Sequence, residues 1–90
     1  MKFEWDATKA AINLEKHGIT FEEATTVFSD EFSLTSSDPD SFGEARYLIF
    51  GASAANRLLV VVHADRTDII RVISARRMTT NERKTYEQFR

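Results

Sequence analysis

Ninety residues, 42% of them hydrophobic and none of them cysteine, supply one modest core near the lower size limit for a domain without disulfides or metals. The lack of cysteine excludes a disulfide framework and thiolate metal centres, and the longest apolar run, Leu58 to Val62, is too short to span a bilayer. The net charge of -2 divides unevenly: residues 1–45 carry 3 basic and 10 acidic side chains, residues 46–90 carry 9 and 4, and all 8 arginines lie in the second half. A chain acidic overall excludes broad nucleic-acid affinity, so any anion site must be local. Arginine keeps its charge at physiological pH and grips phosphate with a bidentate fork, which makes its segregation a sign of such a site. Charged strand edges that resist aggregation account for the same pattern without a ligand.

The opening Met1-Lys2-Phe3-Glu4-Trp5-Asp6 has no apolar leader, so the chain is expected in the cytosol, with no membrane contact. Phe3-Glu4-Trp5 alternates like a short strand, and Asp6 is a good N-cap for a helix from about Ala7 to His17. Ala7, Ala10, Ala11 and Leu14 follow the spacing of one buried stripe. Gly18 supplies a left-handed stop, with Ile19 placed to fold back on Leu14. Thr20 and Glu23 make a capping box for a second helix to about Phe28, with Phe21, Ala24 and Phe28 facing the core.

Residues 29–43 are rich in Ser and Asp and hold the only proline, so they read as a loop with a short strand at Phe32-Ser33-Leu34. Glu44 to Gly51, Arg57 to His63 and Ile69 to Arg76 then read as three strands. Their short connections predict an antiparallel meander. Thr79 with Glu82 opens a last helix to about Phe89, whose apolar edge is only Tyr86 and Phe89 and should dock weakly. The expected architecture is a single α+β domain over 1–90, with two N-terminal helices on one face of the sheet and a short C-terminal helix.

A two-residue turn between Asp65 and Asp68 sets Val62 opposite Arg71, and a loop over Ala52 to Asn56 sets Arg46 opposite Val62. Arg46, Val62 and Arg71 then form one row, with Glu44 on the same face and Leu59, Val61, His63 and Arg76 on the other; a slip of one residue would swap the faces. Such a cluster is either a surface ion-pair network or a phosphate clamp with a carboxylate at hand. RNA is cut without metal when its 2′-hydroxyl attacks the adjacent phosphate, which needs cations for the phosphorane charge, a base and an acid. Arg46 and Arg71 suit the first role and Glu44 the second. His63 is a candidate acid, although a lone histidine at a strand end usually has a structural role. Lys16-His17 fits helix C-capping. No metal-ligand spacing, glycine-rich phosphate loop or nucleophile elbow is present, so no cofactor is expected. A binding module that meets acidic side chains or DNA phosphates is the alternative class.

Several blocks, in order, resemble BrnT-type toxins. They are Phe3-Glu4-Trp5-Asp6 with Lys9, Asn13, Lys16-His17-Gly18-Ile19 and Phe21-Glu22-Glu23-Ala24, then Glu44-Ala45-Arg46 with Gly51, then Arg57 to His63, and finally Arg71 to Thr79 with Glu82-Arg83 and Tyr86. The resemblance implies a RelE-like ribonuclease fold and a toxin of a type II toxin–antitoxin pair that cleaves RNA and arrests growth. It implies a BrnA-like antitoxin, a small DNA-binding protein, in paired heterodimers that repress their own operon, so that operator DNA is reached only through the antitoxin. It carries catalytic roles onto Glu44, Arg46, Arg71 and Arg76, with Lys16 and His63 as further acid–base or RNA contacts. A degenerate toxin that only binds its antitoxin would show the same blocks.

Overall fold

A computed structural model describes residues 1–90. In chain order the elements are β1 (Lys2–Glu4), α1 (Ala7–His17), α2 (Phe21–Thr26) with a 3-10 turn at Val27–Ser29, β2 (Leu34–Ser37), β3 (Tyr47–Ala52), β4 (Leu58–Arg66), β5 (Ile69–Arg77) and α3 (Thr80–Gln88). The α+β class holds, but the sheet is not a pure meander. Strands β2 to β5 run antiparallel in sequence order, whereas β1 lies parallel against β5, giving the mixed order β1-β5-β4-β3-β2. Short connections argue only for neighbours in sequence. The pairing of the first strand with the last closes across most of the chain and leaves no local mark.

Asp6 caps α1 by accepting from the Lys9 N–H at 2.9 Å, and Gly18 ends it at φ 70° while donating to Leu14 O. The expected apolar stripe is corrected. Leu14 is 48% exposed, and the inward side of α1 consists of Ala10, Asn13 and His17. The polar Asn13 outcompetes Leu14 because it satisfies backbone that would otherwise be buried without partners. Its amide donates to Ile19 O and Ala75 O and its oxygen accepts from the Ala75 N–H, all at 3.0 Å. Asn13 thus takes the place of a neighbouring strand along β5 where β1 has ended. Ile19 goes to the core instead of to Leu14.

Thr20 caps α2 through the Glu23 N–H, but only this half of the capping box forms, because the Glu23 carboxylate turns to Arg57 and Ser53. Phe21, Ala24 and Val27, with Ile19, pack on Ile49, Leu59, Val61, Val72 and Ala75; Phe3, Trp5, Ala10 and Phe28 flank them. Each such fully buried Val, Leu, Ile or Phe side chain stabilises the fold by about 1.5–3 kcal/mol.

Both expected hairpin registers are displaced. The turn after β4 is Thr67-Asp68, with Arg66 opposite Ile69, and β3 pairs Leu48 with Val62 and Gly51 with Leu59. Arg71 therefore sits opposite Ala64, not Val62. Extending the β3/β4 register one residue beyond Tyr47 and His63 sets Arg46 beside Ala64 as well. The two displacements are equal, so the row survives with Ala64 at its centre. A bulge shifts the β4/β5 register between Val62, paired with Ser74, and His63, paired with Val72, leaving Ile73 as the extra residue. That residue reverses the alternation along β5. Arg76, opposite Val60, and Arg71, opposite Ala64, consequently share a face, which corrects their expected separation.

Helix α3 covers part of this second face. With Leu34, Thr35, Ser36 and Phe50 of β2 and β3, its residues Asn81, Glu82, Thr85 and Tyr86 line a cleft of about 390 Å³. Docking rests on two anchors. Tyr86 is buried and donates its hydroxyl proton to Asp30 Oδ2 at 2.6 Å, and Arg76 holds Glu82 by two bonds of 2.8 and 3.0 Å. Phe89, the other expected contact, stays exposed.

Candidate functional site

Beyond α3, the second face of the sheet ends in charged side chains drawn from four separated segments. Glu4 on β1 lies beside Arg71 on β5, and Arg71 Nη1 donates to Glu4 Oε2 at 2.9 Å. Arg66, the last residue of β4, approaches the same Glu4 oxygen at 3.9 Å and donates to Glu44 Oε2 at 3.3 Å. Arg46 enters from the start of β3. Its position is set through its backbone, where its N–H donates to Ser41 Oγ at 3.0 Å and its carbonyl accepts from the Asp38 N–H at 2.9 Å. Ala64 is buried at the middle of the row, flanked by the two longer arginines. A small residue there gives guanidinium groups space to lie over the sheet.

Three arginines against two glutamates leave one excess positive charge, and the glutamates are exchangeable partners. The Arg66 and Glu44 side chains are about half exposed, so their ion pair is worth at most about 1 kcal/mol. A phosphodiester offers the same kind of acceptors with the same single charge and can replace a carboxylate at little cost. Arg46 takes part in none of these ion pairs, and its buried Nε has no protein acceptor. The arrangement is suited to hold an anion among Arg46, Arg66 and Arg71 with Glu44 beside it. No group of three or more His, Asp or Glu side chains is arranged to hold a metal ion.

Of the residues expected from sequence, the structure links Arg71 to Glu44 through Glu4 and Arg66, neither of them expected, and sets Arg46 in the same row by strand register alone. Arg76 is on the same face but committed elsewhere: its bidentate pair with Glu82 raises its own pKa and holds the Glu82 carboxyl down at about 2. Its position makes it a latch for α3. His63 lies away from the cluster. It pairs with Tyr47 and Val72 on the helix-covered face, is buried, and sets Nδ1 2.6 Å from Asp65 Oδ1. Its ring packs edge-on to Phe28 with centroids 4.9 Å apart. The sheet thus stands between it and the arginine cluster. Lys16 also lies apart, exposed on α1 in a shallow depression of about 190 Å³ beside Ile73 and Ser74 at the bulge.

Glu4 escaped sequence reading because its neighbour Arg71 is reached only through the parallel pairing of β1. Arg66 escaped because the turn was placed one residue too early; the Thr67-Asp68 step was the available signal. At the other end of β4, Arg57 is a structural residue. It donates from Nε to Glu23 at 2.9 Å and from Nη2 to Gly18 O at 3.2 Å, tying the end of the sheet to both N-terminal helices. The bond from Arg57 and that from Ser53 hold the Glu23 carboxyl below its ordinary range.

A family model described as the ribonuclease toxin BrnT of type II toxin–antitoxin systems matches residues 5–82. The 1.1 Å crystal structure of the Brucella abortus ribonuclease toxin BrnT is similar in fold, with a TM-score of 0.66 at 23% sequence identity over 89% of this chain and 99% of that one. No curated protein matches the chain. The family match runs from Trp5, just after β1, to the first turn of α3, and takes in every member of the arginine cluster except Glu4. The chain therefore belongs to the BrnT family of ribonuclease toxins of type II toxin–antitoxin systems.

Proposed function

We propose that this chain is an active, metal-independent endoribonuclease whose reaction takes place at the Arg46–Arg66–Arg71 cluster. In this reading Glu44 accepts the proton of an RNA 2′-hydroxyl, and the 2′-oxygen forms its bond to the adjacent phosphorus. The bond from phosphorus to the 5′-oxygen breaks, water supplies the proton that oxygen needs, and a 2′,3′-cyclic phosphate is left. Arg46 and Arg71 stabilise the extra negative charge of the phosphorane, a contribution of about a hundredfold to a thousandfold in rate for each well-placed donor. Glu4 positions Arg71, and Arg66 positions Glu44. The observation that supports this reading is the chain of ion pairs from Arg71 through Glu4 and Arg66 to Glu44, residues remote in sequence, at an exposed end of one sheet face, with the unpaired Arg46 in register beside it. Arg76 serves the site only by holding α3 in place.

The same reading includes a RelE-like relationship, cytoplasmic action, and neutralisation by a BrnA-like antitoxin in paired heterodimers, with operator DNA contacted by the antitoxin. The test compares the purified parent with an Arg46→Ala/Arg71→Ala variant on RNA in the presence of a chelator, alongside growth on induction. Cleavage should persist with the chelator and fall at least about a thousandfold in the double variant, with growth restored. Arg71→Lys should recover little, because lysine has no bidentate fork. Equal cleavage by the double variant would overturn the site, and loss of parental cleavage with the chelator would overturn metal independence. A second reading, a binding module without catalysis, draws on the pairing of Arg66 and Arg71 with carboxylates within the chain. Antitoxin binding by a parent that cuts no RNA would establish it.

A further inference from the structure

The loop between β2 and β3 closes on itself before it reaches the arginine row. Asp38 donates its N–H to Arg46 O, and Ser41 Oγ accepts from the Arg46 N–H at 3.0 Å. An Asx turn, in which the Asp40 N–H donates to Asp38 Oδ1 at 2.9 Å, stiffens the descending limb. Four residues, Phe42 to Ala45, are left as the tip, and Gly43 turns them with φ 82°. This tip delivers Glu44 to Arg66. It also carries Phe42, which is 96% exposed and is the most solvated large apolar side chain of the protein.

Nothing in the fold calls for a phenylalanine there. The ring is almost fully exposed, and the loop around it, Ser and Asp with a single Pro39 and Gly43, gives no contiguous apolar patch on which a folded partner could bury area. A lone flat ring on a polar loop suits a different ligand, the face of a nucleobase, because every base stacks on an aromatic side chain whatever its sequence. Chain geometry keeps the Phe42 Cα within about 7.6 Å of the Glu44 Cα, so a base next to the scissile phosphate is within reach of the ring. Asp38 and Asp40 make the loop a poor track for phosphates, which leaves the base as the group it would contact.

We infer that Phe42 stacks an unpaired nucleobase of the RNA strand flanking the phosphate held at the arginine cluster, which makes unpaired RNA the preferred substrate class. The inference rests on the ribonuclease reading above and adds to it a substrate-binding residue and a strandedness. Stacking of this kind holds the strand equally in the bound and reacting states and touches no reacting atom, so its loss raises KM and leaves kcat nearly unchanged.

The test uses the full chain with a short single-stranded oligoribonucleotide and its 2′-O-methyl counterpart, which binds but lacks the nucleophile. Phe42→Ala should weaken binding of the 2′-O-methyl strand and raise KM for the cleavable one by about tenfold, with unchanged thermal stability. Phe42→Tyr should restore both, and Phe42→Trp should show a fluorescence change on binding that the parent lacks. An abasic nucleotide beside the cut should cost the parent the same factor and cost Phe42→Ala nothing further. Parental KM in Phe42→Ala would overturn the inference while leaving the ribonuclease reading intact. So would Phe42→Ala that keeps its RNA affinity but escapes antitoxin neutralisation, since the ring would then be a protein contact. A parent that neither binds nor cuts either strand would overturn the ribonuclease reading and this inference with it.

Discussion

Asn13→Ala tests whether a side chain can stand in for a missing strand. Beyond the Glu4–Arg71 pair, β5 continues with no strand on its outer side, and Asn13 is 5% exposed there. Truncation removes three hydrogen bonds and strands three backbone groups: the Ala75 N–H, the Ala75 carbonyl and the Ile19 carbonyl. A buried polar group left unpaired costs about 1–3 kcal/mol, and water entering the small gap offsets part of it, so the expected total is about 3–5 kcal/mol. Against a typical stability of about 5–15 kcal/mol this is a large fraction. It corresponds to a fall in Tm of about 15–30 °C for a domain of this size. Asn13→Asp should be no better at neutral pH, because it keeps an acceptor for the Ala75 N–H but turns a carboxylate oxygen toward two carbonyls. Urea unfolding followed through Trp5 fluorescence gives the midpoint and slope for parent and variants. A loss below about 1 kcal/mol in Asn13→Ala with an unchanged slope would refute the claim that the amide substitutes for a strand.

Three further outcomes concern the anchoring of α3. The Glu82 carboxyl falls from an ordinary 4.5 to about 2 in the fold, first through its bond to Arg76. A lowered carboxylate pKa contributes stability above the unfolded value that is lost as pH falls from about 4.5 to about 2; the ceiling of about 3 kcal/mol drops to about 1–2 because Arg76 is partly exposed. Urea midpoints against pH should therefore fall across that window, and Glu82→Gln should flatten the limb. Burial raises Tyr86 from 10.0 to about 12, so its contribution is complete below pH 10 and lost between 10 and 12; Tyr86→Phe should remove that alkaline limb. Gly51→Ala should cost about 1–3 kcal/mol in the same assay, since a Cβ would lie 2.9 Å from Val27 Cγ1 and 3.0 Å from Asp30 Oδ2. Asp30 also accepts from Ala52 and Tyr86, so displacing it should loosen α3.

Local chemistry was legible without coordinates. Asp6, Gly18, Thr20 and the Thr79–Glu82 box marked helix ends correctly because capping depends on a few adjacent backbone groups. The three long strands were read from β-branched runs, and the segregation of arginine pointed to the right half of the chain. The arginine row was also foreseen, although at the wrong central residue, because equal displacements of two hairpins moved both of its ends together.

What only the tertiary structure decided depends on groups far apart in the chain. The parallel seat of β1 brings Glu4 to Arg71 across 67 positions, and no local pattern encodes it. The bulge at Ile73 turns Arg71 and Arg76 to one face, because one unpaired residue reverses every side chain that follows. Sequence alone fixed what each segment could form, since that is settled by neighbours a few residues away; which charges meet was settled by strand register, a property of pairs of segments.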